Sequence, residues 1–187
     1  MNIKSLNLPG VYEITLEPIM DHRGHFIRIF DKQKFNNIGI NRNWVQENQS
    51  LSLRKGTIRG LHFQLPPFSE TKLIRVIKGA IFDVFVDLRM DSPTFGQWGS
   101  IELTEDNFKM VLIPRGFAHG FCTLTDNCEV TYKVDNFYSS KHEAGILWND
   151  RTLNIDWPVS NPIISKRDSE LPSFKEFTKK HKGIKVE

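Results

Sequence analysis

The stretch TKLIRVIKGAIFDVFVDLR, residues 71 to 89, constrains the fold more than any other part of this chain. Apolar and polar residues alternate through it with a period of two, which sends successive side chains to opposite faces of an extended backbone. Lys78 and Gly79 divide the run into two arms and read as the turn of a hairpin. On the second arm Phe82, Val84, Val86 and Leu88 share one face, and Ile81, Asp83, Phe85 and Asp87 share the other. One face is core. The other mixes apolar groups with carboxylates, as expected where a strand lines a barrel lumen or cleft.

The same reading predicts strands over 12–17, 26–30, 44–53, 57–64, 99–103, 110–113, 120–124 and 129–134, separated by the turn formers DHRG, RKG, DSPTFG, TEDN, PRG and TDN. Many short strands with regular turn signals imply an all-β sandwich or barrel. The segment DKQKFNNIG is the one strong internal helix, with Asp31 as cap, Phe35 and Ile38 as apolar anchors and Gly39 at its end. A second short helix is expected after Pro172. A length of 187 residues with 39% hydrophobic content is enough for one core, so residues 1–187 are expected to form a single domain.

Lysine and arginine exceed aspartate and glutamate only by 25 to 22, and the lysine-rich segment 175–187 supplies the excess. A nucleic-acid surface needs basic residues clustered on the fold itself, so this segment is expected to be a flexible, solvated basic tail and nucleic acid is not an expected partner. Cys122 and Cys128 lack metal-site spacing and read as reduced core thiols, which points to the cytoplasm. The N-terminus shows no apolar stretch of signal-peptide length, and no run of 18 apolar residues is present, so no membrane segment is expected.

Chemistry concentrates in GTIRGLHFQLPPFSETK, residues 56 to 72. Gly56, His62, Gln64, Glu70 and Gly79 loosely follow the first cupin element, and Pro114, Gly116 and His119 in PRGFAH follow the second. With the strand count, this double match supports a cupin-type jelly-roll barrel with a few short peripheral helices. A metal cupin would place a histidine where this chain has Gln64, a poor ligand beside imidazole or carboxylate. His62, Glu70 and His119 could still form a two-histidine, one-carboxylate set, and this metal site is the alternative to acid–base chemistry.

From about residue 8 to 172 the chain closely resembles the nucleotide-sugar epimerases typified by dTDP-4-dehydrorhamnose 3,5-epimerase. The resemblance is carried by DHRGHFIRIF, VQENQS, IRGLHFQLPP, KLIRVIKGAIFDVFVDLR, SPTFGQW, IPRGFAHGF, YKVDNFY, ILWND, IDWP and SKRD, in that order. It implies a cupin, free of metal and cofactor, that epimerises C3 and C5 beside the C4 ketone of a nucleotide-linked 4-keto-6-deoxyhexose, on the path to a 6-deoxysugar such as rhamnose. Inversion needs a base on one face of the sugar ring and an acid on the other, with the enolate oxygen stabilised between them.

By that resemblance His62 is the base, and Asp168 holds its tautomer and stabilises its protonated form. Lys72 faces the C4 oxygen, and Tyr132 is the acid on the far face. If the 78–79 turn is tight, Asp83 lies diagonally opposite Lys72 and would orient it. Taken singly, a strand histidine is more often a hydrogen-bonded structural residue, and such a tyrosine a half-buried anchor.

The resemblance also implies that Arg23 and Arg59 grip the diphosphate. Gln46, Asn48, His119, Glu143 and Arg167 would contact the nucleotide sugar, Tyr138 would stack on the base, and Phe26 would pack near it. Arg28 stands where the best-known members carry a glutamate against the nucleoside. The chain also has Asn48, Gln49 and Ser50 where typical members read NHS, and Glu70, Thr71 and Lys72 where they read QGK. CDP, GDP or UDP sugars and epimerisation at a single centre are therefore alternatives, as is a cupin that binds sugar nucleotide without turning it over. The family usually forms homodimers in which an N-terminal segment, here 12–17 and 23–30, completes the partner's pocket.

Overall fold

The computed structural model describes residues 1–186. Its strands are β1 (Asn2–Ser5), β2 (Tyr12–Thr15), β3 (Ile19–Asp21), β4 (Gly24–Phe26), β5 (Gln46–Ser52), β6 (Ile58–Gln64), β7 (Lys72–Lys78), β8 (Ala80–Asp87), β9 (Trp98–Thr104), β10 (Lys109–Ile113), β11 (Phe117–Thr123), β12 (Cys128–Val134) and β13 (Glu143–Gly145). Three helices, α1 (Lys32–Asn37), α2 (Lys166–Ser169) and α3 (Phe174–His181), lie outside them. A six-stranded sheet in the order β1-β2-β10-β7-β12-β5 faces a five-stranded sheet in the order β13-β6-β11-β8-β9, and β3 pairs with β4 as a separate hairpin. This is the cupin-type jelly roll.

The alternation in 71–89 has the consequence expected of it. Ile74, Val76, Ile81, Phe85, Val111, Phe117, Phe121 and Val130 meet between the sheets in one buried cluster. Val84, Val86 and Leu88 point the other way and pack under Leu61, Phe63, Trp157, Phe174 and Phe177. The back of the six-stranded sheet is covered at one end, where Ile14, Leu73, Met110 and Leu112 pack with Phe35 of α1. Asp31 caps that helix by accepting from the amides of Gln33 and Lys34.

Residues 71–89 do not form a hairpin. β7 is flanked by β10 and β12 in one sheet, and β8 by β11 and β9 in the other, so neither arm has an edge left for its neighbour in sequence. The turn instead carries the chain from sheet to sheet. Gly79 takes a φ of +81°, and a Cβ there would lie 2.3 Å from Thr125 Oγ1, so the crossing needs glycine. The strand expected over 26–30 does not form: β4 ends at Phe26, where that strand was expected to begin.

The expected flexible tail is also corrected, as far as Val186; Glu187 lies outside the described residues. Residues 174–181 form α3, begun by a capping box in which Ser173 and Glu176 bond reciprocally. Phe174, Phe177 and Ile184 are buried, and Ile184 bridges to Arg89. Hydrophobic burial outweighs the solvation of the lysines, which stay on the outer face. Phe177 is 3% exposed and meets Phe63 edge-on with ring centroids 5.4 Å apart. Phe177→Ala is therefore expected to lower unfolding stability by about 3 kcal/mol, measured by denaturant titration.

Candidate active site

A cleft of about 500 Å³ opens between the sheets and is lined by Arg59, His62, Lys72, His119, Tyr132, Arg167 and Asp168, with Ser50, Thr57, Ile58, Phe121 and residues 163–165 completing the wall. That volume suits a small organic ligand. A smaller adjoining recess of about 160 Å³ shares His62, Lys72 and Tyr132 and adds Gln46, Asn48, Gln64, Glu70, Tyr138 and Glu143.

His62 sits on β6, where its register partners are His119 on β11 and Gly145 on β13. Its Nε2 lies 2.7 Å from Asp168 Oδ1, and the other oxygen of Asp168 accepts the Gly60 amide at 3.2 Å. A side chain at Gly60 would collide with Gly120, 2.6 Å from the ideal Cβ, so glycine is what lets β6 run so close to β11 beside the histidine. Asp168 arrives through α2, whose cap Ser165 accepts the Asp168 amide. Burial alone would push the Asp168 carboxyl up, but bonds from His62 and Gly60 and the charge of Arg167 more than reverse this and hold it below the ordinary carboxylate range. It is ionised at neutral pH. The imidazole can donate one N–H to it and keep the ring's other nitrogen unprotonated, as a base must.

Tyr132 and Lys72 come from the opposite sheet. Lys72 on β7 pairs in register with Val134, two residues along β12 from Tyr132, and its Nζ lies 5.9 Å from the tyrosine ring centroid. Burial raises the Tyr132 phenol above its ordinary value, and the charges of Glu70 and Glu143 add to this while Arg59 opposes it. The phenol is a protonated donor at neutral pH.

Asp83 does not serve Lys72 as expected. It is fully buried and lies 2.8 Å from Nε2 of His119, while the nearest carboxylate to Lys72 is Glu70 at 3.3 Å. The register that suggested a diagonal contact with Lys72 presumed a β7–β8 hairpin that does not exist. Burial raises the Asp83 carboxyl, partly offset by His119 and, through space, by Lys72.

At the mouth, Tyr138 donates to Glu143 at 2.8 Å, and its amide donates to Gln46 Oε1 at 2.7 Å. Arg167 pairs with the other oxygen of Glu143 at 2.6 Å. Tyr138 is 59% exposed, leaving its ring open for stacking. Arg59 reaches the cleft with Nε donated to Ser52 and Nη2 to the Leu51 carbonyl. Three expected contact residues are not brought to this cleft. Arg23 pairs with Asp21 beside the β3–β4 turn, Phe26 is exposed on β4, and Arg28 lies near Asp31 in a separate surface recess.

Glu70, the carboxylate of the alternative metal set, is turned to Lys72 and to the Gln64 amide, and each of the two histidines faces an aspartate. Among the described residues no three His, Cys, Asp or Glu side chains converge as a metal site. Sequence reasoning missed Ser50, Thr57, Ile58, Phe121 and residues 163–165 as cleft walls. For the last of these the signal was Ser165 three residues before Asp168, a helix cap that fixes where the carboxylate points.

The geometry agrees with what the chain resembles elsewhere. The family model described as dTDP-4-dehydrorhamnose 3,5-epimerase matches residues 5–176. This chain belongs to that family. A curated relative, dTDP-4-dehydrorhamnose 3,5-epimerase of Shigella flexneri, is 45% identical over 175 residues, covering 93% of this chain and 96% of its own. The crystal structure of dTDP-4-dehydrorhamnose 3,5-epimerase from Bacillus anthracis with TDP and PPi bound is 47% identical and superposes with a TM-score of 0.90, over 92% of this chain and 99% of its own. The dTDP-6-deoxy-D-glucose-3,5-epimerase of Legionella pneumophila, solved with dTDP-4-keto-L-rhamnose, is 34% identical with a TM-score of 0.92, over 100% of this chain and 98% of its own.

Proposed function

We propose that this chain is an isomerase that epimerises C3 and C5 of a dTDP-linked 4-keto-6-deoxyhexose. The observation that carries the reading is the placement of His62 and Tyr132 on opposite sheets of one cleft, with the Lys72 ammonium 5.9 Å from the tyrosine ring centroid. A C–H next to a ketone becomes removable when a base meets it and the enolate oxygen gains a cationic partner. His62, braced by Asp168, takes the proton on one face. Lys72 offsets charge on the C4 oxygen, and Tyr132 returns a proton on the other face, so the centre inverts.

In this reading Arg59 and Arg167, which line the cleft, would meet the diphosphate, and Tyr138 with Gln46 and Glu143 would form the base-side rim. Arg23, Phe26 and Arg28 would enter a second subunit's cleft. Ile19, Met20 and Phe26 on the β3–β4 hairpin are 69%, 65% and 63% exposed, a projecting apolar arm suited to such exchange. Sedimentation at twice the 21.7 kDa chain mass is expected. No helix among the described residues is long and apolar enough to cross a membrane.

The deciding experiment offers the purified protein dTDP-4-keto-6-deoxyglucose in D2O, then the CDP, GDP and UDP counterparts, and reads deuterium by mass spectrometry and NMR. Label at C3 and C5 with dTDP sugar is expected. Label at one carbon would make this a mono-epimerase, faster turnover of another nucleotide would move the base assignment, and no label with any of them would remove the catalytic reading.

A further inference from the structure

The cleft contains a carboxylate that the mechanism above does not use. Glu70 lies in the loop between β6 and β7, two residues before Lys72, with its side chain 13% exposed in the recess shared by His62, Lys72 and Tyr132. Its Oε1 lies 3.3 Å from Lys72 Nζ, and its Oε2 accepts from Gln64 Nε2 at 2.9 Å. Gln64 is itself locked. Its Oε1 accepts the Ser139 amide at 2.6 Å, and its Nε2 also serves the carbonyls of Phe68 and Phe137 at 3.0 and 3.1 Å. Reversing that amide would set its oxygen against two carbonyls and a carboxylate, so Gln64 can present only N–H to Glu70.

Building on the functional reading above, we infer that Glu70 is a positioning residue, a splint that fixes the Lys72 ammonium in the cleft beside Tyr132. Holding the ammonium against a fixed donor needs a charged acceptor with two oxygens. One oxygen is taken by a donor that cannot turn, and the other by a cation. A glutamine in its place has only one oxygen, so its NH2 would face either the lysine or the Gln64 amide, and one contact would become donor against donor. The charge matters for Tyr132 as well. The charged and titratable groups sharing that phenol's cleft and recess are Glu70 from the loop, Lys72 from β7, His62 and Arg59 from β6, His119 from β11, Glu143 from β13, Arg167 and Asp168 from α2, and Tyr138. After burial, Glu70 is the largest influence raising it.

The test compares E70Q and E70D with the unaltered protein. The protein carries 13C at the tyrosine Cζ, and the Tyr132 resonance is assigned by its loss in Tyr132→Phe. In E70Q the Tyr132 titration is expected to move to lower pH, and kcat to fall about ten- to a hundredfold with KM little changed, the signature of misplaced groups rather than lost binding. E70D keeps two oxygens and the charge and should recover most of the loss. A Tyr132 titration that stays in place in E70Q overturns the inference, whether or not kcat falls, as does an E70Q enzyme of full activity. The titration needs no turnover. If the unaltered protein acts on no nucleotide sugar, a shift in E70Q still supports the splint, and the failure belongs to the epimerase reading.

Discussion

His62→Ala should lose deuterium wash-in at C3 and at C5 together, with kcat down by about a thousandfold or more, as removal of a well-placed general base predicts. The loss should be joint because the described cleft offers one histidine that is both partly exposed and braced by an ionised carboxylate. His119, its register partner on β11, is nearly buried and directed to Asp83. Nucleotide affinity, measured by calorimetry with dTDP, should hardly change, since Arg59, Arg167 and Tyr138 remain in place. Exchange surviving at one carbon alone would mean that a second base serves that centre, and His119 would be the first to examine.

What the sequence revealed of this site, and what it hid, follows from which distances along the chain matter. The alternation in 71–89 is a local property, and it correctly predicted two strands with one face in the lumen. Whether those strands pair with each other is decided by β9, β10, β11 and β12, which compete for their edges, and the same alternation is compatible with either outcome. The misassigned Asp83 contact came directly from that. His62 and Asp168 are 106 positions apart, so only the resemblance to a family could join them before the fold did. The C-terminal segment was misread for a different reason. Its lysines dominate its composition, yet Ser173, Glu176, Phe174 and Phe177 carry the cap and the apolar stripe of a docked helix, and those four outweigh the charge.

Gln64 shows how a departure from a pattern can mark a role. As a missing metal ligand it only weakened one hypothesis. In the structure it is 4% exposed and holds Glu70, which holds Lys72, so the residue that departs from the metal pattern supports the charge chemistry that replaces it.

Tyr132→Phe should separate two events that His62→Ala abolishes together. The base on β6 is intact in this variant, so His62 can still take a proton, exchange it with solvent and return a deuteron to the face it came from. The far face has lost its donor. Deuterium uptake with retained configuration should therefore persist, while formation of inverted sugar falls by about a hundredfold or more, within the range for a general acid. The substitution removes only a hydroxyl, so Lys72 keeps an aromatic face beneath it and the fold should be preserved. The measurement is a paired time course in D2O, mass spectrometry counting label and NMR coupling constants reporting configuration. Inverted product at the original rate would show that water or another group donates on the β12 side. Equal loss of label and inversion would show instead that the hydroxyl acts before the chemistry, in seating the sugar against His62, and the two faces of the cleft would then not divide the work as their geometry suggests.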